Sequence, residues 1–149
     1  MKEIYVKEGD SKISKDNLYT DSLYTCEAIY AIAEDESYLG HIMVTDSNEY
    51  QLGKVMKVEE LLDFASEKAL EGERVYIGIV NGVAHDQSLR ERYEAIEEEL
   101  EEGIDELLEL DYDIERLDNV ESETININQI DKEITFENES YDVDKAYKR

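Results

Sequence analysis

Apolar residues in this chain come in short runs separated by charged or glycine-containing turns, and the length of each run predicts its element. Cys26 to Ala33 is apolar and partly β-branched, with Glu27 as its only charge. It ends at Glu34-Asp35-Glu36-Ser37, so it is expected to be a strand. Gly40 to Thr45 predicts the next strand, closed by Asp46-Ser47-Asn48, and the two form a hairpin. From Val58 to Leu70 the period changes. Leu61, Leu62, Ala65 and Ala69 share one face while Glu59, Glu60 and Lys68 lie outside it, which predicts a helix capped by Gly72. Val75 to Val80 is almost continuously apolar and suits a strand covered on both faces. Asp86 or Ser88 then caps a second helix through Leu100 or beyond, with Leu89, Tyr93, Ile96 and Leu100 inside. Its Glu97, Glu98, Glu99, Glu101 and Glu102 face water, and Gly103 ends it or leads into a short turn through Leu107-Leu108.

Shorter signals complete the pattern. Ile4-Tyr5-Val6 reads as a first strand and Tyr112 to Leu117 as a half-buried one. Thr124 to Ile130 and Glu133 to Phe136 flank Asp131-Lys132 as a hairpin. The sum is about seven strands and two main helices, an α+β single-domain layered sandwich of mainly antiparallel strands. It spans residues 1–138, and the polar segment 139–149 is expected to fray.

Charge narrows the function. With 149 residues and a formal charge of −25, the chain lacks the clustered Lys and Arg that phosphate backbones require, so nucleic acid is not an expected partner. Anionic membrane surfaces are disfavoured for the same reason, and no apolar run is long enough to span a bilayer. The charged, alternating N-terminus is unlike a signal peptide. A single cysteine excludes an internal disulfide and suits a reducing, cytoplasmic location.

That cysteine and one of the two histidines carry the candidate chemistry. Cys26 opens its strand, and His41 lies on the next. The pair reads either as core filler or as a nucleophile with its base. Hairpin register decides whether they meet. A turn centred between Ala33 and Glu34 sets them directly opposite. A turn of Glu34-Asp35 makes them diagonal neighbours on one face, about 7–8 Å apart. A turn centred on Asp35-Glu36 separates them by roughly 13 Å. His85 reads as a loop histidine, and a metal site of Cys26, His41 and His85 has no characteristic spacing to support it. Neither a metal nor a cofactor is expected.

Thr20 stands six residues before Cys26, Leu23 three before it, and Gly40-His41-Ile42-Met43 forms the following strand. This pattern resembles the CheD chemoreceptor glutamine deamidases, whose fold is shared by the catalytic domains of the cytotoxic necrotizing factor and Burkholderia lethal factor toxins. Ile79-Val80-Asn81-Gly82 and the helix from Ser88 are similar to that family's strand, glycine turn and helix, so the resemblance runs from about Ile4 to Phe136. It implies a Cys26 nucleophile, a His41 base and a Thr20 that orients the imidazole. Tyr24, Thr25 and Gly40 would form the substrate and oxyanion rim. The reaction implied is hydrolysis of a glutamine carboxamide on a protein substrate through a thioester. A catalytic thiolate of this kind is expected to react with alkylating agents well below pH 8. The chain departs from the family where a small Ser-Gly or Gly-Ser pair precedes the cysteine, having Tyr24-Thr25 instead. A non-catalytic interaction module on the same fold, or a small-molecule thiol amidohydrolase, is the alternative.

Overall fold

The computed structural model describes residues 2–137 and 139–143, and its centre is a sheet with both faces covered. That sheet is built from β2 (Ser11–Ser14), β4 (Glu27–Ile32), β5 (Ser37–Ile42), β8 (Val75–Asn81), β9 (Ile114–Arg116) and β10 (Val120–Glu121). Its order is β10-β8-β4-β5-β2, with β9 on the same edge of β8 as β10. β4 is antiparallel to both β5 and β8, while β9 and β10 run parallel to β8. A parallel return needs a crossover, and α2 (Gln87–Glu109) supplies it. Double coverage explains why β4, β5 and β8 lack polar alternation: every residue of β4 and β5 is buried.

The two faces of this sheet hold separate cores. Ile29, Ala31, Tyr38, Ile42, Ile77 and Ile79 pack under α1 (Met56–Leu70) and α2. Ala28, Tyr30, Ile32, Leu39, Tyr76 and Val80 pack against a second sheet. The second sheet has the order β1-β3-β11-β12-β13, from β1 (Glu3–Tyr5), β3 (Asn17–Thr20), β11 (Ile125–Asn128), β12 (Glu133–Phe136) and β13 (Glu139–Asp142). The architecture is thus α+β, with helices, central sheet and outer sheet as three layers. A small hairpin, β6 (Tyr50–Gln51) and β7 (Lys54–Val55), leads into α1. No helix among the described residues is long and apolar enough to cross a membrane.

Several expectations are corrected. Gly103 does not stop α2, which continues to Glu109. A Cβ there would stand 2.2 Å from Leu62 Cδ1, so this glycine lets the two helices approach closely. The polar tail expected from residue 139 belongs to the fold as far as Val143. β13 pairs with β12, and Val143 is fully buried. Residues 144–149 lie outside the described region. β2 and β3 were not expected, because their Ser, Lys, Asn and Thr content masks a sheet edge and a half-buried strand. Gly72, by contrast, follows α1 at φ +87° as a C-terminal cap.

Candidate functional site

The hairpin register places Cys26 and His41 on one face. Ala33 N–H donates to Glu36 O at 2.9 Å, closing a two-residue turn of Glu34-Asp35. Ile32 is therefore opposite Ser37, and Ala28 opposite His41. Cys26 lies two positions before Ala28, so it is the diagonal neighbour of His41. Both side chains point toward the outer sheet, the side on which Ala28, Leu39 and Met43 also pack.

The outer sheet contributes Thr20. Its hydroxyl is 2.8 Å from His41 Nδ1 and donates to the Val6 carbonyl at 2.6 Å. A hydroxyl has one proton, and here it goes to Val6. Nδ1 must then be the donor to Thr20, which leaves the lone pair on Nε2. Nε2 is buried and has no hydrogen-bond partner among the described residues, the Cys26 sulfur included. Thr20 and His41 are both buried, at 1% and 0% exposure, and Cys26 is 7% exposed.

Burial sets the protonation of both reactive groups. Desolvation holds the His41 imidazole below its ordinary range, against the opposing pull of Glu8 and Asp21. Desolvation, then the Glu8 carboxylate, push the Cys26 thiol up, while the adjacent Thr25 hydroxyl acts the other way. The resting pair is a neutral thiol beside a neutral imidazole. Both shifts act against the ready-made thiolate expected at neutral pH. Glu8 had no signal in the sequence, being one of many exposed acids.

The rim residues separate. Tyr24 is 53% exposed and Thr25 is exposed, both in the turn entering β4. Leu23 O and Tyr24 O accept from Val83 N–H and Ala84 N–H at 3.1 and 2.8 Å. In a trans peptide N–H points opposite to C=O, so the Thr25 N–H faces away from that loop. Gly82 makes the contact possible: a Cβ there would lie 2.5 Å from both Tyr24 O and Cys26 O. Gly40 is on the other face. A Cβ on it would meet the Tyr38 hydroxyl and Lys57, beneath α1, so Gly40 does not belong to the rim. His85 also stands apart, its Nε2 2.7 Å from Glu121 and its Nδ1 2.6 Å from Arg90.

No protein-family model matches the chain, and no curated protein matches it.

Proposed function

We propose that the protein is a cysteine-dependent amide hydrolase of the glutamine-deamidase type, with Cys26, His41 and Thr20 as its triad. The observation that carries this reading is the Thr20–His41 contact. A buried threonine with its one proton committed elsewhere holds the imidazole in the tautomer that a general base needs. The CheD-like pattern of Thr20, Cys26 and His41 supports the same assignment of roles.

The chemistry follows from the neutral resting pair. Cys26 gives its proton to His41 Nε2 as its sulfur attacks the carboxamide carbon. The tetrahedral oxyanion needs donors, and the Thr25 N–H, turned away from Val83 and Ala84, is a candidate. Collapse breaks the C–N bond, and Nε2–H protonates the departing ammonia. Water, deprotonated by Nε2, then hydrolyses the thioester to a carboxylate and restores the thiol. The Cys26–His41 hydrogen bond has to tighten when substrate excludes water, as catalytic contacts commonly do on passing from the free enzyme.

A non-catalytic interaction module is favoured by one observation, the missing hydrogen bond between Cys26 and His41 Nε2. Two measurements separate the readings. Ammonia release from glutamine-containing peptides, with a matching gain of one mass unit, is expected from the wild type and not from Cys26→Ser or His41→Ala. Iodoacetamide labelling of Cys26 is expected to slow in His41→Ala. Labelling that ignores His41, together with no ammonia release, would rule out the hydrolase.

A further inference from the structure

The central sheet ends at β2, which pairs with β5 on one side and with no described strand on the other. Gly9 opens this edge as a bulge. At φ +77° its N–H donates to His41 O, and the His41 N–H donates to Asp10 O, both at 3.0 Å. From that bonded pair the antiparallel ladder alternates. Lys12 and Ser14 turn their N–H and C=O toward Leu39 and Ser37, while Ser11 and Ile13 turn theirs outward. The Asp10 carboxylate takes the Ser11 N–H at 2.8 Å. The Ser11 C=O and both backbone groups of Ile13 are left facing away from the sheet.

A groove lies beside this edge, between β2 and α1. Cross-strand pairing with Tyr38 puts the Ile13 side chain on the helix-facing side of the sheet, where it is 54% exposed. The helix runs along β2 in the same direction. The Ser11 hydroxyl donates to Glu60 at 2.8 Å, and Lys68, further along α1, donates to Glu36, the residue before the Ser37 that faces Ser14. Glu60, Asp63 and Glu67 therefore follow Ser11, Ile13 and the end of β2 in turn, spaced as one helical face. All three are exposed, and among the described residues none has a salt-bridge partner. The groove has a volume of about 360 Å³, with Tyr38 and Phe64 beneath Ile13 as its floor, which is the room the side chains of one more strand would take. Lys12, on the sheet's other face, is held by Asp10 at 3.6 Å.

We propose that β2 docks an extended basic segment of a partner protein as an added strand. The segment's backbone pairs with the outward N–H and C=O of Ile13, and the side chain opposite packs on Ile13. Lysine or arginine side chains two positions to either side then enter the groove toward Glu60 and Glu67, because alternate residues of a strand share a face. The backbone groups ask for an extended chain, and the carboxylates select its charge. An acidic segment would be repelled. A second copy of this chain, with its own charge of −25, would bring like charge to the groove. A small cation would leave Ile13 exposed and its backbone groups unpaired. Edge strands are commonly guarded by proline, by a covering loop or by a charged side chain, and Ile13 has none of these. The groove is on the helix side of the sheet, away from Cys26 and His41, so the proposal does not rest on the hydrolase reading.

The test is titration of the intact protein with the acetylated and amidated peptide Thr-Lys-Thr-Val-Thr-Lys-Thr, followed by amide chemical shifts and hydrogen exchange. One comparator has glutamate in place of lysine. The other is N-methylated at the valine and both flanking threonines, which keeps the charge and prevents strand pairing. The lysine peptide is expected to bind saturably, one per chain, and about tenfold or more tighter than either comparator. Its shifts should centre on Ser11 to Ser14 and Asp63, and the Ile13 N–H should exchange about tenfold or more slowly in the complex. Ile13→Pro removes an outward N–H that β5 does not use, and is expected to abolish saturable binding. Asp63→Asn combined with Glu67→Gln, at two exposed positions, should weaken binding about threefold or more without touching the sheet. Equal binding of the N-methylated peptide, or binding that survives both sets of substitutions, would reduce the effect to diffuse attraction by an acidic surface and overturn the proposal. So would no saturable binding at millimolar concentration. A dimer in sedimentation that Ile13→Pro dissociates would give the edge to a second copy and overturn it as well.

Discussion

The Thr20 hydroxyl bridges two layers of the protein, donating to Val6 O at 2.6 Å and accepting from His41 Nδ1 at 2.8 Å. Because Val6 takes the hydroxyl proton, the contact sets a tautomer as well as a position. Thr20→Ala is expected to reduce amide hydrolysis about ten- to a hundredfold, with Thr20→Ser retaining most of it. Nitrogen-15 shifts of His41 check the cause: protonated Nδ1 in the wild type, a mixture of tautomers in Thr20→Ala. A fall in activity with unchanged tautomer signals would assign Thr20 to packing alone.

Glu8 bears on both reactive groups in the same direction, raising the Cys26 thiol and the His41 imidazolium. Removing its charge in Glu8→Gln should let the thiol ionise at lower pH and the imidazole lose its proton at lower pH. The pH midpoint of Cys26 alkylation, above the ordinary thiol value in the wild type, is expected to move down in this variant. Any acid limb in the rate of hydrolysis should move down with it. An upward movement of either would contradict the assignment of Glu8 as the neighbouring charge.

The break between the two apolar runs at Glu34-Asp35-Glu36-Ser37 was legible, but the register was not: three turn positions were open within it, and the pairing of Ala33 with Glu36 selects the one that brings Cys26 near His41. The helices were legible from their period. The Thr20 contact was not, because β3 and β2 are too polar to declare themselves as strands, and it takes the outer sheet to carry Thr20 over His41. Gly40 misled for a related reason: adjacency in sequence to His41 places it on the opposite face of a strand. Glu27 did leave a signal, as the one charge within the Cys26–Ala33 run. Its meaning needed the burial that only double coverage of the sheet creates.

Glu27 should also govern stability. Its carboxyl is raised above its unfolded value, so the folded state binds the extra proton. Stability is then greatest below the unfolded value, about 4.5, and declines as pH rises toward the folded one. Glu27→Gln removes that decline. Its melting temperature at pH 8 is expected to exceed the wild type's by about 3 °C or more, with the gap closing toward pH 4. Equal or lower melting at pH 8 would mean that the buried carboxylate is compensated.

Two glycines are in tight places, yet they should respond differently to alanine. At Gly82 the new Cβ would meet the carbonyl oxygens of Tyr24 and Cys26 at 2.5 Å, and backbone cannot rotate aside. Gly82→Ala is expected to cost about 1–3 kcal/mol in urea unfolding and to depress hydrolysis by displacing the Cys26 turn. At Gly103 the clash is with the end of the Leu62 side chain, which has other rotamers, and alanine gains about 1 kcal/mol of helix preference. Gly103→Ala should therefore lie close to neutral. Equal losses at both sites would show that the Leu62 side chain has nowhere to turn.

Thr20 pairs with Ile125 in the outer sheet, so the strand that holds His41 in its tautomer is itself held by residues near the far end of the chain. During synthesis, Cys26 and His41 emerge long before that support exists. The hairpin can form early, since its contacts are local, but the layer above it closes only after β11 has been made. A growing or truncated chain that lacks β11 therefore has β3 paired only with β1, and Thr20 loses its neighbour on the other side. β11 thus acts as a distant brace on the Thr20–His41 contact.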